Sequence, residues 1–500
     1  MTLENSGGGA RHDRQPRSGA VTESTSIDRT RAYRHLQNPF TPQRVFSDDQ
    51  VASLHMAALQ ILENQGIKVL SAEARRRYAI GGATVDESTL IVRIDRGLVE
   101  QSLATAPRRM TLHAVDPERN MPLDGRAVVL APAAGAPNIM DARHGRRAGT
   151  FEHLCNGIKL SQSFEIIHVL GEIAEPQDVP VNVRHLEMVR AQLTLSDKIP
   201  HVYCRGHGQV VDALELIRIA HDLSPEEFRT RACTYTIINT NSPLQLDAPM
   251  GDGIVDFAEA GQVLMITPFT LAGAMAPVTL AGALTLAHSE VLAGLVLAQL
   301  VRKGAPVVYG SFTSNVDMKS GSPAFGTPEY VKGSFGAGQL ARYLGLPWRS
   351  SNATASNCAD AQAAYESEMS LWGAFMGGCN FILHAAGWVE GGLSSSYEKF
   401  ILDVEMLQMF AEIFQPLGAD APDIASERYG AAFYTPLVSD WRNFGAWTED
   451  GAKTATQRAL EIVDRTLGQY RAPPRDPAIL ERLDDYVRKR VAEGGAAPAG

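Results

Sequence analysis

Apolar residues recur at helical spacing from residue 47 onward, and this spacing predicts the first long helix of the chain. Val51, Leu54 and Leu62 fall on one face of such a helix. Ser47 or Asp48 supplies an N-cap oxygen for its free backbone amides. The chain from 67 to 125 then alternates short strand-like segments with one more helix. This stretch predicts a subdomain that packs on the main fold.

From residue 127 the pattern changes to short apolar runs, each followed by a longer segment with helical spacing. The predicted strands are 127–130, 165–170, 201–204, 233–239, 262–267, 306–311, 347–351 and 380–385. The predicted helices between them include 184–196, 209–221, 252–260, 280–300, 328–344 and 361–376. This alternation predicts the α/β class and a (β/α)8 TIM-type barrel. A doubly wound open sheet is the alternative, but its usual glycine-rich phosphate loop is missing from the sequence.

The same patterns divide the chain into five parts. Residues 1–40 are rich in Gly, Arg, Ser and Thr without apolar periodicity, which predicts a disordered N-terminal tail. The other parts are a helical and β subdomain over 41–126, the barrel over 127–425, a C-terminal helical extension over 426–493 and a flexible tail over 494–500.

Composition excludes several classes of protein. Apolar residues make up 45% of the chain, enough for a large core, and the net charge of −10 argues against a nucleic-acid surface. The five cysteines are scattered without a CxxC pair, which indicates free thiols in a reducing compartment. The N-terminus has no apolar signal segment, and Pro268 and Glu290 interrupt the longest apolar stretch. We therefore expect a cytoplasmic protein without a membrane span.

Polar side chains cluster where the predicted strands end, which is where a barrel collects its functional residues. They are Asn239 and Asn241 after the fourth strand, Ser311, Thr313 and Asn315 after the sixth, Asn352, Thr354, Ser356 and Asn357 after the seventh, and His384, Trp388 and Glu390 after the eighth. A single Asn or Ser at such a place is usually a turn former or a cap. Four such ends together predict an active site built largely between residues 306 and 390.

Among nearby carboxylates, Glu329 and Asp360 are explained as helix-start residues. Glu366 and Glu390 have no such explanation and stay candidates for function. The sequence contains no HExxH, clustered cysteines or GxSxG elbow. The usual catalytic apparatus is therefore missing, which suggests that the reacting group comes from outside the chain.

One short segment raises the alternative of a zinc site. His201, Cys204 and His207 are spaced like metal ligands, but residues 201 and 204 of an extended strand point to opposite faces. We therefore predict no metal site, with zinc kept as the weaker alternative.

Several long segments resemble the trimethylamine methyltransferase (MttB-like) family. They are LHMAALQILENQGIKV at 54–69, the apolar run at 277–300, GAPVVYGSF at 304–312, GSPAFGTPEY at 321–330, QLARYLGLP at 339–347, DAQAAYE at 360–366 and TPLVSDWRNFGAW at 435–447. They occur in the family's order and together span about residues 45–480.

The resemblance implies a barrel enzyme, an expected homo-oligomer, that moves a methyl group from a small methylated amine to a corrinoid (cobalamin) held by a cognate partner protein. Founding members carry pyrrolysine in the loop after the seventh strand. Here that loop, 352–357, contains only standard residues. The chain therefore resembles the branch without pyrrolysine, some of whose members demethylate quaternary amines such as glycine betaine. In this framework Asn352, Thr354 and Glu366 are the expected catalytic residues.

The chemistry of a quaternary amine agrees with this branch. Its leaving group is a neutral tertiary amine, so no proton is needed, and the enzyme mainly orients the substrate and excludes water. Aromatic faces and carboxylates should hold the cation, and amides or hydroxyls should hold a substrate carboxylate. The aromatic candidates are Trp348, Tyr365 and Trp388, with Trp372 more typical of a core residue; Glu366 and Glu390 are the counter-charges, and Asn239, Asn241, Asn352, Thr354 and His384 are the donors.

Three alternatives remain open. The enzyme could use the same corrinoid chemistry on another donor, such as a dimethylated amine or a methyl thioether. The barrel could bind a betaine without turnover. The third alternative is the zinc-dependent methyltransferase that His201, Cys204 and His207 would require.

Overall fold

The computed structural model describes residues 33–416 and 433–499. Its main sheet has seven strands, in the order Leu36–Gln37, Ala127–Leu130, Phe381–Leu383, Trp348–Ser351, Val307–Gly310, Val263–Ile266 and Tyr235–Ile238. All neighbours are parallel except the first pair. Six of the eight predicted strands are therefore confirmed in the main sheet.

The predicted strands 165–170 and 201–204 do not form regular strands. Each makes an isolated parallel bridge instead, Val169 with Ile199 and His201 with Tyr235. The structure thus has an α/β fold with a mostly parallel sheet, and the strand order does not by itself give the closed eight-stranded barrel that the pattern predicts.

The strands of the main sheet are buried on both faces, which explains their continuous apolar runs. Along Val263–Ile266, alternate side chains enter two different cores. Val263 and Met265 belong to an inner core, and Leu264 and Ile266 to an outer core packed against helices.

Helices surround this sheet. They are Phe151–Ser163, Arg184–Leu195, His207–Ala220, Pro225–Thr230, Ala248–Ala260, Leu280–Val301, Pro328–Leu344, Ala361–Met376 and Tyr397–Ile413. The N-terminal part adds Asp48–Asn64, Ala72–Ile80 and Arg96–Thr105, and the C-terminal part adds Phe444–Glu449, Ala455–Gln469 and Pro477–Ala492. Two short 3-10 helices, Pro117–Arg119 and Glu390–Gly392, lie in loops.

Four smaller sheets decorate the main fold. Their strands are Ile67–Val69, Thr84–Asp86, Ile91–Arg93 and Gln245–Leu246; Phe269–Ala272, Phe312–Val316 and Pro323–Ala324; Asn138–Asp141, Gly145–Ala148, Trp388–Val389 and Ser394–Ser395; and Met110–Leu112 with Met121–Leu123.

Within the described residues, Leu280–Val301 is the one helix long and apolar enough to cross a membrane. It lies inside the protein, with 83% of its most apolar window buried. Its apolar surface is therefore used by the core, as the sequence predicts.

The ends of the chain differ from the predicted tails. Leu36–Gln37 pairs with Ala127–Leu130, so ordered structure begins before residue 40, whereas residues 1–32 lie outside the described residues. The amide of Ala499 donates to the carbonyl of Arg205 at 2.7 Å, so the segment predicted to be a flexible tail contacts the main fold. The predicted boundary at 425/426 falls outside the described part of the chain.

Candidate active site

A cavity of about 610 Å³ lies at the carboxyl ends of the parallel strands. Several of its lining residues directly follow a strand of the main sheet, as Asn239 and Thr267 do. His384 does the same after the strand Phe381–Leu383. Of the ten predicted site residues, Asn239, Asn241, His384 and Trp388 line this cavity. Most of the lining residues precede residue 306, and Phe312, Arg349, Leu383, His384 and Trp388 come from the segment 306–390.

Arg349 supplies a positive charge inside the cavity. It lies in the strand Trp348–Ser351 and is 1% exposed, because alternate residues of a strand face opposite sides and Arg349 faces inward. One terminal nitrogen donates to the carbonyl of Ser311 at 3.3 Å, while the buried Nε has no hydrogen-bond partner. Burial lowers the pKa of Arg349 to about 10, so the group stays a cation at neutral pH.

No carboxylate balances this charge among the described residues. The lining set contains neither Asp nor Glu, and no ion pair with Arg349 is formed in the described part of the chain. Arg205 also lines the cavity, but it is paired with Glu175 at 3.0 Å. The cavity therefore has one uncompensated, desolvated cation, which is costly unless a ligand supplies an anion.

An aromatic wall lies beside Arg349. The ring centroid of Phe312 is 5.2 Å from that of Phe269 and 6.0 Å from that of Trp388. The indole nitrogen of Trp388 donates to the carbonyl of Thr354 at 3.2 Å, which fixes the ring's orientation. These faces are suited to a soft organic cation.

His384 contacts the aromatic wall and lies close enough to Arg349 for that charge to lower its pKa. Its ring centroid is 3.7 Å from that of Trp388, and its φ of 58° lies in the left-handed region, which a non-glycine residue rarely occupies. Burial, and then the charge of Arg349, hold the pKa of His384 well below its usual value, so the ring is neutral. Its Nδ1 is buried without a hydrogen-bond partner.

The opposite wall carries the amides that the sequence predicts. The side-chain oxygen of Asn241 accepts from the backbone amide of Asp247 at 3.2 Å. The loop is also tied to Glu290, whose carboxylate accepts from the Ser242 hydroxyl and the Leu244 amide, both at 2.8 Å. The charged residue that interrupts the apolar helix thus holds a loop of the cavity.

The predicted catalytic residues Thr354 and Glu366 do not line the cavity. Glu366 accepts from the Thr354 hydroxyl, from the amides of Ala355 and Ser356 at 2.8 and 3.0 Å, and from the side chain of Gln362 at 2.8 Å. Its oxygens are therefore occupied, and the carboxylate holds the loop that accepts the Trp388 hydrogen bond.

Asn352, the third predicted catalytic residue, is also buried behind the cavity. Its amide nitrogen donates to the carbonyl of Ala385 at 3.0 Å, and its side-chain oxygen has no hydrogen-bond partner. The contacts join the loop after the seventh strand to the loop after the eighth.

Three further predicted residues lie away from the cavity lining. Trp348 faces the helices and donates to the Ser311 hydroxyl at 3.2 Å, because it alternates with the inward-facing Arg349. Tyr365 is 59% exposed on a helix surface. Glu390 is paired with Arg146 at 2.8 Å and is therefore not available as the counter-charge of a substrate.

The structure does not bring His201, Cys204 and His207 together. His201 contacts Glu172 at 2.5 Å, Cys204 lies near the Thr236 hydroxyl at 3.4 Å, and His207 contacts Asp256 at 2.8 Å. The described residues contain no group of three metal-binding side chains, so the zinc alternative has no structural support.

Sequence reasoning missed Arg349, Phe312 and Tyr203, all of which line the cavity. A signal for Arg349 was present, because a charged residue inside a strand predicted to be buried must meet a polar group or a ligand. Phe312 directly follows the predicted strand 306–311, so an aromatic residue at a strand end is a further signal for the site.

Comparison with known proteins identifies relatives over nearly the whole chain. The family described as trimethylamine methyltransferase (MTTB) matches residues 7–427 and 425–495. A glycine betaine methyltransferase of Desulfitobacterium hafniense (strain Y51) is 34% identical, covering 90% of this chain and 98% of that protein. A trimethylamine methyltransferase MttB of D. hafniense (strain DSM 10664 / DCB-2) is 28% identical, covering 90% and 95%. The crystal structure of the Methanosarcina barkeri monomethylamine methyltransferase (MtmB) aligns with a TM-score of 0.46 and 10% identity, covering 91% of this chain and 96% of that chain.

Proposed function

This chain belongs to the trimethylamine methyltransferase family, and from that premise we propose that it demethylates a small carboxylated quaternary amine such as glycine betaine. The enzyme is a methyltransferase whose relatives act on methylamines or betaine by name. We choose between these substrates from the charges of the residues that line the cavity.

The observation that carries the proposal is the buried, unpaired guanidinium of Arg349 in a cavity without carboxylates. A plain methylammonium ion would be repelled by this charge, and no lining carboxylate would offset the repulsion. A betaine brings its own carboxylate, which can accept two parallel hydrogen bonds from the guanidinium. The cavity is therefore suited to a zwitterion.

The other end of the zwitterion would lie on the aromatic wall. Phe312 and Trp388 present ring faces close to Arg349, and a quaternary ammonium, which has no N–H donor, is held by such faces. His384 is neutral and adds no second repulsive charge next to Trp388. The wall and Arg349 together would orient the N-methyl groups.

The methyl acceptor is proposed to lie outside this chain. The cavity lining of the described residues contains no cysteine, lysine or carboxylate that could act as a nucleophile. A reduced corrinoid on a cognate protein would supply the nucleophile, and the neutral tertiary amine leaves without a proton. The residues of this chain would bind the zwitterion, orient it and exclude water.

We also propose that the fold closes into a (β/α)8 barrel with the cavity at its mouth. The amide of His168 donates to the carbonyl of Leu130 at 2.9 Å. Together with the Val169–Ile199 bridge and the bridge from His201 to Tyr235–Ile238, this contact supports a link between the outer strands of the main sheet.

The test mixes the enzyme with reduced corrinoid, either free cob(I)alamin or the corrinoid protein of a family relative, and follows methylcobalt formation by absorbance. We expect methyl transfer from glycine betaine and at most weak transfer from choline or trimethylamine. Methyl transfer from a dimethylated amine or a methyl thioether instead would identify a different substrate. Calorimetric binding of betaine without methyl transfer would identify the protein as a betaine-binding barrel. No transfer and no binding with the whole panel would refute the proposal.

A further inference from the structure

The proposed function leaves one buried pair unexplained. His201 is fully buried, and its Nδ1 lies 2.5 Å from a carboxylate oxygen of Glu172, which is itself 1% exposed. The side chain of Gln192 donates to the other Glu172 oxygen at 3.1 Å and accepts the backbone amide of His201 at 2.9 Å. The imidazole is thus locked in one orientation.

The other ring nitrogen of His201 is unpaired in the described structure, in a residue that lines the cavity. Its Nε2 is buried and has no hydrogen-bond partner among the described residues, and His201 lines the cavity. Buried polar atoms of this kind are normally completed by a ligand or an ordered water. A fixed ring with one free nitrogen is therefore prepared to meet a polar group of the substrate.

The groups around His201 define which polar group that is. The rings of Tyr203 and Tyr235 lie 4.7 and 4.9 Å from its ring centroid, and the guanidinium of Arg205 lies over the Tyr203 ring. Arg349 and His384 line the same cavity. Glu172 is the only acid that contacts the ring in the described structure, and it lies behind the ring rather than in the cavity lining. The cavity side of His201 is therefore the end where an anion is favoured.

We propose that His201 is a specificity-determining residue that donates Nε2–H to the carboxylate of the substrate, with Glu172 as the positioning residue behind it. This inference rests on the proposed function and deepens it. For both contacts to form, the pair must hold two hydrogens, one shared between Nδ1 and the Glu172 carboxyl group and one on Nε2 that the substrate carboxylate accepts. The pair therefore recognises acid-bearing quaternary amines and is indifferent to amines without an acid group.

The test compares calorimetric binding of glycine betaine and choline, which share a trimethylammonium group and differ in the carboxylate. We expect His201→Gln and Glu172→Gln to weaken glycine betaine binding at least 10-fold and to leave choline binding within 2-fold. In turnover, KM for glycine betaine should rise more than kcat falls. His185→Gln is a matched control, because His185 is also a buried histidine paired with a carboxylate, Asp212, but does not line the cavity.

Equal loss of both ligands in the His201 and Glu172 variants, with unchanged thermal unfolding, would overturn the inference, and so would unchanged betaine binding. If His201→Gln fails to fold, His201→Asn replaces it, and its affinities for glycine betaine and choline are compared in the same way. Should wild-type enzyme neither bind nor demethylate glycine betaine, the proposed function fails first, and the two failures are thereby distinguished.

Discussion

The guanidinium carbon of Arg349 lies 5.9 Å from the ring centroid of Phe312, so a desolvated cation and an aromatic face share one cavity. The two groups are complementary to the two ends of a short zwitterion. A cation alone would compete with Arg349 for the aromatic face. The carboxylate of the substrate is therefore the group that Arg349 is expected to bind.

Replacing Arg349 by Met should remove betaine recognition without harming the fold. Loss of one partner of a buried charge pair usually costs about 2 to 5 kcal/mol, so affinity for glycine betaine should fall at least about 30-fold. Arg349→Lys should be intermediate, because Lys keeps the charge and loses the two-pronged geometry. Arg342→Met, at the opposite end of the strands, is the control. Full betaine affinity in Arg349→Met would contradict the assignment.

Trp388→Leu should weaken binding of every quaternary amine. Loss of a desolvated cation–π contact costs about 1 to 2 kcal/mol, so the affinities for glycine betaine and choline should fall together by about 5- to 30-fold. Trp372→Leu is the matched control, because Trp372 packs on the helix side against Phe410. Calorimetry on both ligands gives the comparison, and a loss confined to glycine betaine would be inconsistent with a cation-binding wall.

Glu366→Gln should loosen the loop at 352–357 and leave substrate preference unchanged. Glutamine presents an NH2 group to backbone amides that donate to Glu366, which leaves buried donors unpaired at about 1 to 3 kcal/mol. Thermal unfolding should therefore occur at lower temperature, and the ratio of betaine to choline affinity should stay constant. Glu368→Gln, on the same helix, keeps an oxygen that can accept the indole N–H of Trp372 and serves as control. A selective loss of cation binding would restore Glu366 as a counter-charge.

The buried pair of Lys399 and Asp403 should be essential for the cavity loop. Asp403 accepts the amide of Gly387 at 2.8 Å, and this amide lies between His384 and Trp388 in the chain. Lys399→Met or Asp403→Asn alone leaves an unpaired buried group and should cost about 3 to 5 kcal/mol of unfolding free energy. The double variant Lys399→Met/Asp403→Asn should lose less stability in denaturant titrations than the sum of the two single losses. Additive losses would show that the pair is not coupled.

Stability should fall as the pH drops from 7 to 5, because two buried histidines stay neutral in the folded protein. Burial lowers the pKa of His168 to about 4 and that of His288 to about 3, below the ordinary value of 6.5. Below pH 6.5 the unfolded chain therefore binds more protons than the folded protein. The two histidines together should lower the free energy of unfolding by about 3 to 4 kcal/mol between pH 7 and pH 5. Denaturant titrations at both pH values measure it. His168→Asn should remove about half of the dependence, and an unchanged dependence would contradict the assignment.

Much of the local structure followed from the sequence. The helices Pro328–Leu344 and Ala361–Met376 begin and end at the predicted residues. Their starts are fixed locally, by the Thr327 hydroxyl and the Asp360 carboxylate, each of which caps its helix. Six strands were also found because runs of apolar residues buried on both faces are distinct from their surroundings.

The site followed from the sequence only in part. Asn239, Asn241, His384 and Trp388 line the cavity, because the carboxyl ends of parallel strands meet at one edge of the sheet and a strand end can be recognised locally. The predicted carboxylates Glu366 and Glu390 do not line it. Glu390 finds its partner Arg146 at a separation of 244 residues, and no local pattern specifies that pairing.

The sequence by itself thus determined the α/β class, most strands and helices and the family to which the chain belongs. Tertiary structure decided which face of each strand looks into the cavity, as for Arg349 inward and Trp348 outward, and which charges remain unpaired there. The physical reason is the range of the interactions. Capping and periodicity act over a few residues, whereas the hydrogen bonds of Glu366, the ion pair of Glu390 and the isolation of Arg349 depend on groups that packing brings together.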